Sequence, residues 1–252
     1  MPSVLTKARP ISDIEAYIKW LLYGSKGAGK TYLAGRAPKP IFFDFERSTE
    51  TLRYSKETAN VPVLQAGVDF TTAEEVIETV KAAIKSNYET LVFDTATRMQ
   101  IFQMQEYMLN IEAADKKKHG DKSTRTHYLP YKGDFRYSTE LLDELFMILQ
   151  QAPVHVIFTA HARNVYKEKS DQTLELVGII PDLTPALSGR LTGLVNVVGY
   201  LESSPDVVGK QKRKLYVNPG FIIEAKNRLG IQELFLDNPT FATLTERKLE
   251  NA

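Results

Sequence analysis

Short apolar runs alternate along this chain with segments in which apolar residues recur every three or four positions. The short runs predict buried strands, and they lie at 18–23, 41–45, 61–64, 90–94 and 154–159. The helical spacing predicts helices, which lie at 30–35, 72–86, 98–111 and 138–151. Strands that alternate with helices predict an α/β fold, in which helices cover both faces of a mostly parallel sheet.

Two of the predicted helices carry strong local signals. The helix at 72–86 takes Thr71 or Thr72 as its cap and has Glu74 and Glu75 in its first turn, where carboxylates stabilise a helix. The helix at 138–151 packs six apolar side chains inward, and these are Leu141, Leu142, Leu145, Phe146, Ile148 and Leu149.

The remaining segments are less regular. Residues 113–137 break every periodicity, and residues 164–190 are irregular apart from a candidate hairpin. Later apolar runs predict strands at 194–201, 214–217 and 221–224. Gly209 between the first two marks a hairpin turn, so these strands predict an antiparallel edge of the sheet.

The composition is that of an ordinary globular protein, with 43% hydrophobic and 25% charged residues among 252. The absence of cysteine excludes disulfides and cysteine–zinc sites, and four scattered histidines argue against a histidine metal site. No run approaches the ~20 apolar residues that span a bilayer, and the N-terminus does not resemble a signal peptide. We therefore expect a cytoplasmic protein with one domain over 1–252, in which 1–17 are a short segment and a candidate subunit contact.

The first chemical motif is a loop between a predicted strand and a predicted helix. It reads Gly24, Ser25, Lys26, Gly27, Ala28, Gly29, Lys30, Thr31, which meets the phosphate-loop pattern Gly-x-x-x-x-Gly-Lys-Thr in full. Glycines let backbone N–H groups converge on a phosphate, and the lysine reaches the β- and γ-phosphates. The bland alternative is a glycine-rich turn with a surface lysine. The motif in this context predicts ATP binding.

A magnesium site is predicted beside that loop. The Thr31 hydroxyl coordinates Mg²⁺ in such loops, and the strand at 90–94 ends in Asp94, a second oxygen ligand. Mg²⁺ needs only one or two protein groups and keeps several waters. The alternative for Asp94 is a helix cap.

Two further strand ends carry candidates for hydrolysis. Glu46 follows the strand at 41–45, in the place where RecA-type ATPases carry the glutamate that orients water. His161 follows the strand at 154–159, where RecA-type proteins carry a γ-phosphate sensor that is usually glutamine. The alternatives are a surface carboxylate paired with Arg47 or Arg53, and a histidine that caps a strand.

Late in the chain, Glu224-Ala225-Lys226-Asn227-Arg228-Leu229-Gly230 resembles the Lys-Asn-Arg-Phe-Gly motif of the bacterial recombination protein RadA. There the basic pair reaches the ATP site of the next subunit. Lys226 and Arg228 are therefore candidate catalytic residues in trans, which implies a ring or filament of this chain with ATP between subunits. The alternative is a solvated basic turn.

The irregular segment has the composition of a single-stranded DNA contact. Seven basic residues stand against three acidic ones between 115 and 136, and aromatic side chains that stack on unpaired bases are interleaved. The candidates are Lys116, Lys117, Lys118, Lys122, Arg125, Tyr128, Tyr131, Lys132 and Arg136, with Phe135 and Tyr137 adjacent. The alternative is a merely solvated basic loop. Residues 164–190 give a weaker signal of the same kind, at Lys167, Lys169 and Arg190.

Taken together, these motifs over about 18–231, with Tyr131-Lys132-Gly133-Asp134, resemble the phage RecA-core ATPases of the single-strand-annealing recombinase type. The resemblance implies ATP-dependent binding of single-stranded DNA, a role in annealing or strand exchange, a homo-oligomer, and contact with a single-strand-binding protein. Three alternatives stay open: a replicative helicase core or helicase loader, a small-molecule kinase, and a nucleotide-gated DNA-binding module without hydrolysis.

Overall fold

A computed structural model of the protein describes residues 17–140 and 142–242. Ten strands run through these residues: β1 Lys19–Gly24, β2 Pro40–Asp44, β3 Val63–Gln65, β4 Thr90–Asp94, β5 His155–Glu168, β6 Leu174–Pro181, β7 Val197–Pro205, β8 Gln211–Tyr216, β9 Lys226–Asn227 and β10 Phe235–Asp237. Six helices accompany them: α1 Lys30–Gly35, α2 Ala73–Lys85, α3 Ala96–His119, α4 Asp134–Glu140, α5 Asp143–Gln151 and α6 Pro185–Leu194.

The centre of the sheet is parallel, in the order β7-β1-β5-β4-β2-β3. An antiparallel edge follows, because β8 pairs with β7 and β10 pairs with β8. β6 folds back on the long second half of β5 as an antiparallel hairpin. The predicted class, a RecA-like P-loop NTPase fold with a mostly parallel sheet and an antiparallel edge, is confirmed.

Each face of the sheet buries its own core, and β1 shows how. Leu21 and Tyr23 point to the face covered by α2, α3, α5 and α6. Trp20 and Leu22 point to the other face, where Leu33 of α1 packs. All four of these β1 side chains are fully buried, as a strand covered on both faces requires.

Several predicted elements match closely and others do not. Thr72 caps α2 and forms a reciprocal capping box with Glu75. The helix predicted at 98–111 is wrong in extent, because α3 continues to His119. The helix predicted at 138–151 is two helices, α4 and α5, and Leu141 lies outside the described residues. Helix α6 was not predicted, and the strand at 221–224 is replaced by one isolated bridge at Ile223.

The strand order decides what the site can contain. β5 lies between β1 and β4, so the phosphate loop and Asp94 are separated by one strand. In register, Gly24 lies opposite His161 and Asp44 lies opposite Asp94. The carboxyl ends of β1, β2 and β4 therefore meet at one edge of the sheet, beside the middle of β5. The strand predicted to end at 159 continues past His161 to Glu168. Among the described residues, no helix is long and apolar enough to cross a membrane.

Candidate nucleotide-binding site

The phosphate loop joins β1 to α1, and two of its glycines are required by close approach. A Cβ at Gly24 would lie 2.2 Å from the Leu201 carbonyl oxygen of β7. Gly29 has φ of 99°, and a Cβ there would lie 2.6 Å from Nε of Arg213. Arg213 reaches the loop from β8 and donates from Nε to the Ala28 carbonyl at 3.2 Å. Any larger residue at either glycine would displace the loop from its neighbours.

Lys30 is buried at the first position of α1. Its Nζ donates to the carbonyls of Gly24 at 2.8 Å and Ser25 at 3.0 Å. Burial lowers the pKa of Lys30, and the nearby Asp94 and Glu46 act in the opposite direction. The ammonium thus lies inside the curve of the loop, where a phosphate oxygen would replace the two carbonyls.

Asp94 is the centre of the hydrogen-bond network at this edge, and it is fully buried. Oδ2 accepts from the Thr31 hydroxyl at 2.9 Å and from the Ser48 hydroxyl at 2.8 Å, and Oδ1 accepts from the Thr159 hydroxyl. Burial raises the pKa of Asp94, while the three hydroxyls oppose that rise. The next peptide bond, Asp94–Thr95, is cis. Asp94, at the end of β4, therefore connects the turn after β2 and the strand β5 to the first turn of α1.

A second buried aspartate shapes the turn that carries Glu46. Both carboxylate oxygens of Asp44 accept from this turn, from the amides of Glu46, Arg47, Ser48 and Thr49 and from the Thr49 hydroxyl, at 2.6 to 3.3 Å. Arg47 adopts a left-handed φ of 58° within that turn. Asp44 thus places Ser48 toward Asp94 and Glu46 toward β5.

Glu46 and His161 form an ion-pair geometry across the edge. His161 Nε2 lies 2.9 and 2.8 Å from the two Glu46 oxygens, and the Thr95 hydroxyl donates to Glu46 at 3.2 Å. Their side chains are 16% and 19% exposed. Nδ1 of His161 is buried without a partner among the described residues. The structure brings these two predicted residues together and directs the Glu46 carboxylate at His161.

Mg²⁺ fits the donors at this edge. The Thr31 hydroxyl and the Asp94 carboxylate lie 2.9 Å apart, which is the spacing of neighbouring oxygens around a small hard cation. Within 17–140 and 142–242, no group of three His, Cys, Asp or Glu side chains is placed to hold a metal. The donor set thus suits a cation that takes its remaining oxygens from phosphates and water.

Lys226 and Arg228 lie at the opposite edge. Lys226 pairs with Val198 near the amino end of β7, and the Arg228 amide donates to the Asn196 carbonyl. Along β1, at ~3.3 Å per strand residue, Arg228 is about 16 Å and Lys226 about 10 Å from the phosphate loop, so neither side chain reaches it. Lys226 Nζ donates to two carbonyls at the end of α6, those of Thr192 and Val195, whereas Arg228 is exposed.

The candidate DNA residues fall into two groups. In the first, the cation is engaged: Lys116 with Glu112, Arg136 with Glu140, and Arg125 with the buried Asp134 at 2.8 Å and the Tyr131 ring at 4.2 Å. Arg125 is only 14% exposed, so its role is to hold the segment together. In the second group the side chains are exposed, and they are Lys117, Lys118, Lys122, Tyr128, Tyr131 and Lys132. The four lysines of this group make no ion pair within the described residues.

Two carboxylates of α3 hold the segment after it in place. Asp115 accepts from the Ser123 hydroxyl at 2.7 Å and from the amides of Thr124 and Arg125. Glu112 accepts from both the amide and the ring of His127. Lys116 and His127 lower the pKa of Glu112 to about 2. The segment predicted as irregular is therefore anchored, by groups that sequence periodicity did not reveal.

The other basic candidates contribute less. Arg190 makes an ion pair with Asp143 at 2.6 Å, and Lys169 lies 3.5 Å from Glu175. Lys167 is exposed on the β5–β6 hairpin. The structure thus leaves one lysine of this segment outside ion pairs among the described residues.

The sequence reasoning missed a cavity beside the phosphate loop. It measures about 140 Å³ and is lined by Gly29, Tyr32, Arg36, Arg213, Asn238 and Pro239, among others. The Arg213 guanidinium lies 5.9 Å from the centre of the Tyr32 ring. Arg213 lies in β8, four residues after the turn residue Gly209, and no sequence motif connects it with the phosphate loop. Ser48 and Thr159 were also missed, since no motif announces a hydroxyl that meets Asp94 across strands.

Comparisons with known proteins identify a family for this chain. The family model described as AAA domain matches residues 16–229. A comparison with curated protein sequences found none that matches. Among solved structures, the flagellar accessory protein FlaH of Methanocaldococcus jannaschii is similar, with 10% identity over 87% of this chain and 84% of that chain and a TM-score of 0.44.

Proposed function

We propose that this chain, which belongs to the AAA domain family and is a P-loop ATPase of the RecA-like kind, couples ATP hydrolysis to binding of single-stranded DNA in recombination. The observation that carries the hydrolytic half is the convergence of Lys30, Asp94, Glu46 and His161 at one edge of the sheet. The observation that supports DNA binding is the exposed basic and aromatic segment at 115–137, which α3 connects to that edge.

The nucleotide phosphates would occupy the loop from Gly24 to Thr31. Lys30 exchanges its two carbonyl partners for phosphate oxygens, and the N-terminus of α1 adds partial positive charge. When bound at Thr31 and Asp94, Mg²⁺ would neutralise charge that develops on the phosphates. The cavity between Tyr32 and Pro239 adjoins Gly29, so it is the place where the nucleoside of the same ligand would extend.

Glu46 is the candidate base that orients water, and His161 controls it. In the structure, His161 binds both Glu46 oxygens, so the carboxylate is not directed at the phosphate loop. A γ-phosphate would offer His161 a competing anion, and the transfer of His161 to that anion would release Glu46 toward water. His161 acts in this proposal as the γ-phosphate sensor.

The same pair suggests how DNA would affect hydrolysis. The Thr97 hydroxyl of α3 accepts from the His161 amide at 3.0 Å, and Thr95 at the cap of α3 donates to Glu46. The far end of α3 carries Lys117 and Lys118. DNA bound at those lysines would therefore act through one helix on both partners of the Glu46–His161 pair.

Arg228 supports a shared site between copies of the chain. It is exposed at the edge of the sheet opposite its own phosphate loop, so only the loop of another subunit is within reach. An arginine that reaches the ATP site of a neighbouring subunit raises the rate of hydrolysis by a factor on the order of 10³–10⁵. Lys226, which already holds two carbonyls at the end of α6, would position the turn that carries Arg228.

The test is ATP turnover with and without single-stranded DNA, at low and high salt, for the wild type and for Arg228→Ala. We expect stimulation by DNA that falls with salt, as phosphate contacts require, and a loss of at least about 10³-fold in Arg228→Ala. Lys210→Ala, at an exposed hairpin tip, is the matched control. ATP turnover that does not change on addition of DNA, or that is unchanged in Arg228→Ala, would contradict the proposal. Either result would favour a kinase or a helicase loader.

A further inference from the structure

A cavity beside α3 has a buried amide in its wall. The cavity measures about 190 Å³ and lies between α3, α4 and the start of α6. Gln103 of α3 lines it and is 1% exposed. Neither Nε2 nor Oε1 of Gln103 has a hydrogen-bond partner among the described residues. Buried amides are nearly always paired, so this one lacks a donor and an acceptor.

This cavity is the larger of two spaces beside the Gln103 amide. On its other side, Gln103 adjoins a void of only about 10 Å³ whose remaining lining is almost entirely apolar, with Met99, Phe102 and Leu145 among its residues. That void is at the lower limit for one water molecule. The larger cavity has room for a ring, since an apolar cavity of about 150 Å³ binds benzene.

The rest of the lining suits a flat, mainly apolar group with one polar edge. Ile101, Met104, Phe135 and Leu142 supply apolar surface, and Phe135 is 43% exposed at its mouth. The Thr139 hydroxyl donates to the Phe135 carbonyl at 2.9 Å, and the Gln100 amide is engaged by Thr184 and Asp182. The buried Gln103 amide is free to pair with such an edge, because it has no partner among the described residues. A glutamine amide pairs in bidentate fashion with the edge of a nucleobase.

The surroundings indicate which ligand carries that edge. Phe135 lies in the basic and aromatic segment, between the exposed Lys132 and Arg136. We propose that the cavity accepts one base of single-stranded DNA, with Gln103 on its polar edge and Phe135 against its face, while Lys132 holds a neighbouring phosphate. This inference rests on the proposed DNA binding and names the pocket that reads a base.

Such a pocket would also give DNA a direct path to the nucleotide site. Gln100, one turn before Gln103, accepts from the Thr184 amide at 2.8 Å and donates to the Asp182 carbonyl. The Asp182 amide in turn donates to the His161 carbonyl at 2.8 Å. A base seated against α3 would therefore act on the helix that already contacts both His161 and Glu46.

The experiment compares affinity for a mixed-sequence oligodeoxynucleotide with affinity for an abasic oligomer of equal length and charge. We expect Gln103→Leu to lose about 5- to 150-fold toward the oligomer with bases, the value of one bidentate base contact, and to bind the abasic oligomer as the wild type does. Gln151→Leu, an exposed position on α5, is the control and should change neither. Lys117→Ala should weaken binding of both oligomers alike.

The outcomes separate the two proposals. If the wild type binds neither oligomer, DNA binding itself fails and the pocket fails with it. If the wild type binds DNA and Gln103→Leu binds the oligomer with bases equally well, water alone satisfies the amide and only the pocket is overturned. Thermal unfolding checks that Gln103→Leu is folded. Its Tm should be unchanged or raised, because an unpaired polar group is removed. Met104→Trp, which fills the cavity, should show the same selective loss.

Discussion

The two regions that the proposal joins are built in opposite ways. At the carboxyl edge of the sheet, Lys30, Asp44 and Asp94 are buried, and each is held by neighbouring groups. At the end of α3 and in the segment after it, Lys117, Lys122 and Lys132 are exposed, above the carboxylates that anchor the segment. The first region places a few atoms accurately, whereas the second offers charge and aromatic surface without a fixed geometry.

The difference follows from what each ligand demands. Phosphoryl chemistry depends on positioned charges in a water-poor site, so its residues come from strand ends, where the sheet sets their spacing. Binding of a nucleic-acid backbone depends mainly on charge and the release of counterions, so lysines on a helix end and a loop suffice. Substitutions should therefore affect the first region sharply and the second gradually.

Between these two regions, the largest effect is expected at Glu46. Glu46→Gln keeps the size of the side chain but removes the base that orients water, so turnover should fall by about 10²- to 10⁴-fold. ATP binding should remain, because Glu46 lies outside the loop of Gly24 to Thr31. The measurement is steady-state turnover together with nucleotide binding. Glu50→Gln, in the following 3₁₀ helix, is the control, and equal losses in both variants would contradict the role of Glu46.

A smaller and graded effect is expected from the exposed lysines. Removing Lys117 and Lys132 together should weaken DNA binding uniformly across sequences and reduce the slope of log affinity against log salt by about 2. Turnover without DNA should not change. Titrations at several salt concentrations measure the slope. The matched control removes Lys56 and Lys85, which are equally exposed, and an equal change in that variant would remove the distinction between the two surfaces.

Asp94 should reveal the stability cost of the buried site. Its pKa is raised by burial, so the folded state binds a proton more readily than the unfolded state. Stability is therefore lost as pH rises through the raised pKa. Asp94→Asn should remove about 1 kcal/mol or more of this cost, which is ~2–4 °C in Tm for a domain of this size.

The same variant should lose turnover, so stability and activity would move in opposite directions. Thermal unfolding and ATP turnover of Asp94→Asn are compared with those of the exposed Asp121→Asn. A lower Tm for Asp94→Asn, with full turnover, would contradict the account of this residue.

The smallest effect is expected in the segment itself. The pKa of Glu112 is lowered to about 2 by Lys116 and His127. A lowered pKa means that the stabilisation is complete above the ordinary value near 4.5 and is lost as pH falls toward 2. The protection factors for hydrogen exchange over 120–133, which correct for the intrinsic rate at each pH, should therefore fall in Glu112→Gln at neutral pH, and in the wild type only on acidification. The exposed Glu74→Gln should behave as the wild type does, and unaltered exchange in Glu112→Gln would contradict the anchoring.

The sequence predicts the site best where its residues are local to one motif. The loop from Gly24 to Thr31 is recognised by the spacing of its glycines and lysine, and Asp94 is recognised because it ends an apolar strand. The contacts of Asp94 with Ser48 and Thr159, and of Gly29 with Arg213, depend on strand order and register between distant segments. No local pattern contains that information, and these residues were therefore missed.

The errors in the fold have similar causes. Apolar periodicity fades after Ile111, yet α3 continues through Ala113, Ala114 and the lysines that follow, all good helix formers, and Glu112 and Asp115 tie its end to the loop. Helix α6 had a readable start in Thr184 and Pro185, a cap followed by proline at the first helical position. That signal was overlooked because the helix itself has no strong apolar stripe.

The central claim is that the buried edge and the exposed segment act together. It is tested most directly by the affinity of the wild type for single-stranded DNA, measured with ATP in a non-hydrolysable form and without nucleotide. The account predicts tighter DNA binding with ATP, and by reciprocity DNA should tighten ATP binding by the same factor. Equal DNA affinity with and without ATP would contradict it. The two sites would then be joined by a helix without any coupling free energy between them.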